Sequence, residues 1–483
     1  MEVFAVLAVL VLYVSSTHAL SNRPFPADFK FGVSTSAYQI EGAWNESGKG
    51  VSIWDYITHN RSSFILDRSN GDVACDSYHK LDDDIAMLKH LGVDFYRFSI
   101  SWTRILPTGR VNEGVNLDGV NYYRSLLMKL KKENIDAMVT IFHFDLPVGL
   151  QSENMFVNGS LNSLFVDYAR LAFLLFGNEV KYWVTFNEPR GVCNDFLEQF
   201  SKQPGRDSYT CAHNIIKCHA AVYRMYDEEF RDEYGGSVGI VLNTNWDEPA
   251  TDKKADVDAA ERKLIFEFSW FAHPIIYGDY PELMKQRIKQ FTLPFFSNRL
   301  PKFTEDEKLY IKGTADFLGI NHYTSSYVSD QPNFDLFRTF EKDLGVLMTY
   351  DPEWKNTSLD WLKVTPFGMR KILNWTYTTY KIPLIVTENG YVEDGILLDD
   401  ERISYLESYW SGLLDAIYID KVDVFGYSTW SLMDNWEWTS GYTQKFGLYY
   451  VNFSSPTRER IPKKSVAYYK KVVESHCLVD HCE

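Results

Sequence analysis

Short runs of β-branched and aromatic residues recur along the whole chain, and the stretches between them place apolar residues at three- and four-residue spacing. The first pattern predicts strands at 30–34, 95–102, 137–143, 182–187, 238–245, 317–323, 384–388 and 424–430. The second predicts helices at 82–90, 122–132, 164–176, 212–233, 256–271 and 400–419. Strand and helix alternate, the signature of repeated βα units around a parallel sheet, and eight such units most simply close into one (β/α)8 barrel. The stretches 291–302 and 330–355 lack periodicity and are expected to form long loops over the C-terminal mouth.

Parallel barrel strands are buried on both faces and should be apolar throughout, so polar residues at their C-terminal ends call for a reason. Seven strands carry one there: Arg97, His143, Asn187 with Glu188, Asn245, Asn321 with Tyr323, Glu388 and Trp430. In a barrel these ends converge on one mouth, where such folds hold their chemistry. Glu188 and Glu388 each follow an apolar strand directly, on the fourth and seventh strands, so both carboxyls would face one pocket. Two facing carboxyls suit glycosidic bond cleavage: one protonates the leaving oxygen and the other meets the positive charge that builds on the sugar.

At 483 residues and 45% hydrophobic, the chain can bury one large core, and no Pro, Gly and Ser-rich linker divides it. Its 49 Lys plus Arg against 65 Asp plus Glu give a net charge of -16, with no basic run, which argues against nucleic acid as a partner. Residues 1–19 form an apolar run ending in Thr17-His18-Ala19, which reads as a signal peptide cleaved after Ala19, leaving 20–483 as one barrel domain. The protein is therefore expected to be secreted, with no membrane attachment once that segment is removed. Six N-x-S/T sequons agree: Asn45, Asn60, Asn158, Asn356, Asn374 and Asn452. The six cysteines allow up to three disulfides, of which Cys477 with Cys482 would close a small C-terminal loop, while Cys75 reads equally as a buried free thiol. No C-x-x-C pair or other ligand spacing points to a metal.

From about Phe25 to Val472 the chain carries the motifs FGVSTSAYQIEGAWNESGKGVSIWD, YRFSISWTRILPTG, FHFDLP, TFNEP, FLGINHYTS, TENG and STWSLMDNWEW. Through them it resembles glycoside hydrolase family 1, the β-glucosidase and myrosinase family, and most of all its insect-type members. The resemblance implies an anomer-retaining enzyme that works through a covalent glycosyl-enzyme, with Glu188 as acid/base, Glu388 as nucleophile, and no cofactor. It makes Arg97 and Tyr323 supports of Glu388. It assigns Gln39, His143, Asn187, Trp430, Glu437 and Trp438 to the glucose ring. Two departures stand out. Phe144 follows His143 where the family usually has Trp, and 152–163 lacks the usual Gly-Gly-Trp. Arg190, just past Glu188, is a possible contact for an anionic aglycone. Hydrolysis of β-D-glucosides is thus the leading expectation. Hydrolysis of sulfated thioglucosides, as by a myrosinase, is the first alternative. A catalytically silent sugar-binding member is the second, and transfer of the sugar to an alcohol stays open.

Overall fold

The computed structural model describes residues 20–483 except 154, 197–200, 202, 204, 293–298 and 333–337. Eight parallel strands close into a barrel: β1 Lys30–Ser34, β2 Phe95–Ser99, β3 Asp136–Phe142, β4 Val180–Asn187, β5 Ser237–Asn243, β6 Phe317–Asn321, β7 Leu384–Glu388 and β8 Val424–Trp430. Each pairs with its sequence neighbour, and β1 closes the ring on β8 with Ser34 opposite Trp430. All eight expected strands are present, and helices run between them.

Inside the ring, Phe95, Met138, Val184, Val241, Phe317 and Ile385 form a buried apolar plug. The plug needs room from its neighbours: a Cβ on Gly32 would lie 2.5 Å from the Phe95 ring. Because strand side chains alternate with period two, Arg97 stands on the same face as Phe95, one step nearer the C-terminal mouth. The period that builds the core therefore also aims the polar strand-end residues at the opening.

Several boundaries differ from expectation. The strand expected over 95–102 stops at Ser99, and Trp102–Ile105 forms a single helical turn instead. Its aromatic run is buried for a different reason, since Trp102 stacks on Tyr168 at 4.7 Å. His143, Asn245 and Tyr323 stand just beyond their strands. The helix expected over 256–271 is three pieces, Lys254–Leu264, a π-helical turn at Ile265–Ser269, and Trp270–Tyr277. The stretch 330–355 is not simply loop: Phe340–Leu344 is helical, and Val346–Thr349 pairs antiparallel with Ser325–Asp330. The partner is the strand just before it, but a helical turn separates the two and Val346–Thr349 is only four residues long, too short for its periodicity to mark a strand. Part of 291–302 and the expected signal segment 1–19 lie outside the described residues. The 152–163 region holds short 3-10 turns that lead into the helix Ser160–Phe176.

Two disulfides form, Cys193–Cys211 and Cys477–Cys482, while Cys75 and Cys218 are buried thiols. Asn45, Asn60, Asn158, Asn356 and Asn374 are exposed, and Asn452 is half-buried. Among the described residues no helix is long and apolar enough to cross a membrane, and no cluster of three or more His, Cys, Asp or Glu could hold a metal ion.

Candidate active site

The C-terminal mouth opens into a cavity of about 510 Å³ lined by both Glu188 and Glu388. Glu388 is the last residue of β7 and is almost fully buried. The chain must turn sharply after it. A Cβ on Gly390 would lie 1.9 Å from the Trp430 carbonyl oxygen, so the TENG turn admits no side chain there. Both oxygens of Glu388 accept hydrogen bonds, Oε1 from Arg97 Nη1 at 2.7 Å and Oε2 from the Tyr323 hydroxyl at 2.9 Å. Arg97 is itself fully buried, and its Nη2 donates to Asn187 Oδ1 at 2.6 Å.

Glu188 follows β4 with φ +43, a left-handed conformation that costs a non-glycine residue on the order of 1 kcal/mol. Phe144 at φ +71 and Trp438 at φ +50 share that conformation and the same cavity. Such residues persist where the surrounding structure fixes them, and they cluster at functional sites. Asn321 Nδ2 donates to Glu188 Oε1 at 2.7 Å. Burial, then the negative charge of Glu388, push the Glu188 carboxyl up to about 8, against the pull of Asn321, Arg190 and Arg97. At neutral pH a protonated Glu188 therefore faces the Glu388 carboxyl, whose two oxygens are held by donors. That is the pairing a glycosidic bond requires of an acid and its facing group.

Around this pair lie the groups that could grip a sugar. The Trp430 indole N–H donates to Glu437 Oε1 at 2.9 Å. Burial pushes the Glu437 carboxyl up to about 8 despite that bond. His143 stacks beside Trp430 and Trp438 at 6.0 and 5.9 Å, and its Nε2 pairs with Asn187 Nδ2 at 3.1 Å. Burial and the neighbouring Arg97 keep the His143 ring neutral. Together these offer paired donors and acceptors for hydroxyls and flat faces for the apolar side of a ring.

A family model, "Glycosyl hydrolase family 1", matches residues 21–478. The chain belongs to glycosyl hydrolase family 1. It is a glycosidase of that family. It is 42% identical to Myrosinase 1 of Brevicoryne brassicae over 93% of this chain and 98% of that protein. It is 44% identical to human (Homo sapiens) lactase/phlorizin hydrolase over 94% of this chain, a stretch that is only 24% of that much longer protein. Among solved structures, a rice beta-glucosidase mutant in a covalent complex with Glc superposes with a TM-score of 0.88 at 35% identity, covering 96% of this chain and all of the other.

Of the residues expected at the site, Glu188, Glu388, Tyr323, His143, Asn187, Trp430, Glu437, Trp438 and Arg190 all line the cavity of this family member. Arg97 lies behind it, touching Glu388 and Asn187. Gln39 is fully buried, its Nε2 donating to Asn435 Oδ1 at 2.9 Å and to the Trp436 carbonyl at 2.8 Å, and it meets the site through Glu437. Asn321 was legible only as a polar strand end, yet it holds Glu188. Trp361, Tyr350, Met348, Lys263 and Glu267 also line the cavity. They come from loops, a short strand and a helix remote in sequence, where neither spacing nor a barrel-strand end marks them.

Proposed function

We propose that this glycosidase is a secreted, retaining β-glucosidase that hydrolyses β-D-glucosides in two steps. The observation that carries the reading is the pairing in one cavity of Glu188, held protonated, with Glu388, tied down by Arg97 and Tyr323. In the first step a Glu388 oxygen attacks the anomeric carbon from the face opposite the leaving group, while Glu188 passes its proton to the departing glycosidic oxygen. Glu388 is then an ester and no longer carries charge, so the repulsion that held the proton on Glu188 is relieved. Glu188 can now take a proton from water, whose oxygen attacks the same carbon and returns Glu388 as a carboxylate. Two inversions restore the β configuration.

His143, Asn187, Trp430, Glu437 and Trp438 position the glucose ring in this reading, with Gln39 bracing Glu437. The covalent Glc complex of the rice relative supports the covalent step. The apolar segment 1–19 and the six sequons support secretion, with the exposed Asn45, Asn60, Asn158, Asn356 and Asn374 and the half-buried Asn452 as the acceptors. A second reading, hydrolysis of sulfated thioglucosides, is favoured by Arg190 on the cavity wall and by the likeness to Myrosinase 1.

The test sets an aryl β-D-glucoside beside a glucosinolate, with Glu388→Ala as the blank. Faster turnover of the aryl glucoside, absent from Glu388→Ala, is expected. Turnover of the glucosinolate alone would replace the first reading by the second, and no turnover of either would remove both.

A further inference from the structure

Part of the cavity wall carries charges that the two-step reaction does not use. Lys263 is 1% exposed, yet it lines the cavity. Its ammonium donates to Asp247 Oδ2 at 3.0 Å, to Asp247 Oδ1 at 3.2 Å and to Glu267 Oε2 at 3.0 Å. The Ser326 hydroxyl donates to Asp247 Oδ1 at 2.5 Å and fixes the far end of the chain of bonds. Glu267 stands within the π-helical turn Ile265–Ser269 and also lines the cavity. A π turn rotates side chains out of α-helical register, and such turns recur at functional sites. Burial works against the charge of Glu267, but Lys263 and Arg190 outweigh it and hold the carboxyl below the usual range.

The wall therefore presents the Glu267 carboxylate and the Lys263 ammonium, which is already bonded to Glu267 and to Asp247 behind it, with Arg190 on the same wall acting on the charge of Glu267. Two large apolar side chains stand at the same opening: Met348 is 47% exposed and Trp361 44% exposed, and both line the cavity. Large apolar groups left in water beside a cavity are explained by a ligand with an apolar face. An anion entering here would meet a fixed carboxylate and find its cationic partners already engaged, at a cost in a poorly solvated site. A neutral polyhydroxylated ring meets no such conflict. Its hydroxyls can donate to a carboxylate and accept from a guanidinium, and its C–H face can lie on an indole.

We propose that Glu267, held by Lys263, is a specificity-determining residue for the leaving group, and that the leaving group it selects is an uncharged second sugar ring rather than a sulfated aglycone. The assignment rests on the β-glucosidase reading above. Glu267 takes no part in bond cleavage. It positions the outgoing ring by accepting its hydroxyls, so its loss should act on ground-state binding of a disaccharide far more than on an aryl glucoside that offers no hydroxyls there.

The test measures kcat and KM of the full chain on cellobiose, 4-nitrophenyl β-D-glucoside and 2-propenyl glucosinolate, for the wild type, Glu267→Gln and the double variant Lys263→Met/Glu267→Leu. The expected result is a fall of roughly tenfold or more in the ratio of kcat/KM for cellobiose to that for the aryl glucoside, carried mainly by KM, in both variants. An unmoved ratio beside active wild-type enzyme overturns the role of Glu267 and leaves the β-glucosidase reading standing. A wild type inactive on both glucosides removes the parent reading and this one with it. Should both variants fail to fold, the wild type alone decides: glucosinolate cleaved faster than cellobiose overturns the proposal, and the reverse order supports it.

Discussion

Arg97 Nη1 lies 2.7 Å from Glu388 Oε1, a buried ion pair whose other arm reaches Asn187. Desolvating both charges is worthwhile only where the geometry is good and the remaining donors are used, and here one guanidinium fixes two residues of the cavity wall. Arg97→Met is expected to lower kcat by about 100-fold or more, because Glu388 loses both its aim and its counter-charge. Tyr323→Phe removes only the 2.9 Å bond to Oε2 and should cost about tenfold in kcat with little change in KM. Steady-state kinetics on an aryl β-D-glucoside checks both. A loss confined to KM in either variant would mean that these residues grip substrate and do not aim the nucleophile.

Glu188 and Glu388 are coupled electrostatically, and the sign of that coupling is testable. The negative charge of Glu388 pushes the Glu188 carboxyl upward, so neutralising it in Glu388→Gln must move Glu188 down, though burial keeps it above an ordinary carboxylate. The first step of the proposed two-step reaction needs Glu188 protonated. In the wild type, kcat/KM should therefore fall as pH rises through about 8, where Glu188 loses its proton, by about tenfold per unit beyond it. Carbon-13 titration of the two carboxyls and a pH–rate profile give the two readouts. A Glu188 titration that stays fixed or rises in Glu388→Gln would disprove the coupling.

Much of this is legible in the sequence. The eight strands follow from runs of apolar residues bounded by turns, and the site follows from the exception to that pattern, the polar residue where each strand ends. Glu188, Glu388, Asn187 and Trp430 were visible in that way. The 95–102 strand overran because a buried helical turn and a buried strand are equally apolar over four residues, and Trp102 belongs to the former. Val346–Thr349 is not legible because four residues, three of them exposed, are too few to show a strand period. Lys263 and Glu267 fall within the helix expected over 256–271, where an i, i+4 pair of opposite charge is ordinary on an exposed surface and marks no site. Only the fold shows that this pair is turned inward to the cavity.

Spacing marks the Cys477–Cys482 loop but not the pairing of Cys193 with Cys211, and that second bond has a measurable consequence. It joins residues 18 apart, linking the segment just after Glu188 and Arg190 to the helix Asp207–Glu229. Closing a loop of that size contributes about 3 kcal/mol through the unfolded chain. The double variant Cys193→Ala/Cys211→Ala should unfold at lower guanidinium concentration by that order, and its KM for glucosides should rise because Arg190 and Glu188 lose their anchor. An unfolding midpoint equal to that of the wild type would show that the bond does not constrain this segment.

Phe144 follows His143 where the family motif usually carries Trp, and it is held at φ +71 with its ring edge-on to Trp438 at 5.2 Å. Phenyl keeps the packing but offers no N–H, so a sugar hydroxyl at this corner of the cavity lacks one donor. Restoring it in Phe144→Trp should tighten ground-state binding by about 1 kcal/mol, a roughly fivefold lower inhibition constant for glucose. The larger ring must also fit against Trp438, and overpacking would show as a fall in thermal stability. Inhibition by glucose, measured beside a melting curve, separates the two effects. Unchanged inhibition in a variant that melts with the wild type would mean that the hydroxyls of the bound ring are satisfied elsewhere, through Glu437 and Asn187, and that the phenyl ring at this position costs the enzyme nothing in recognition.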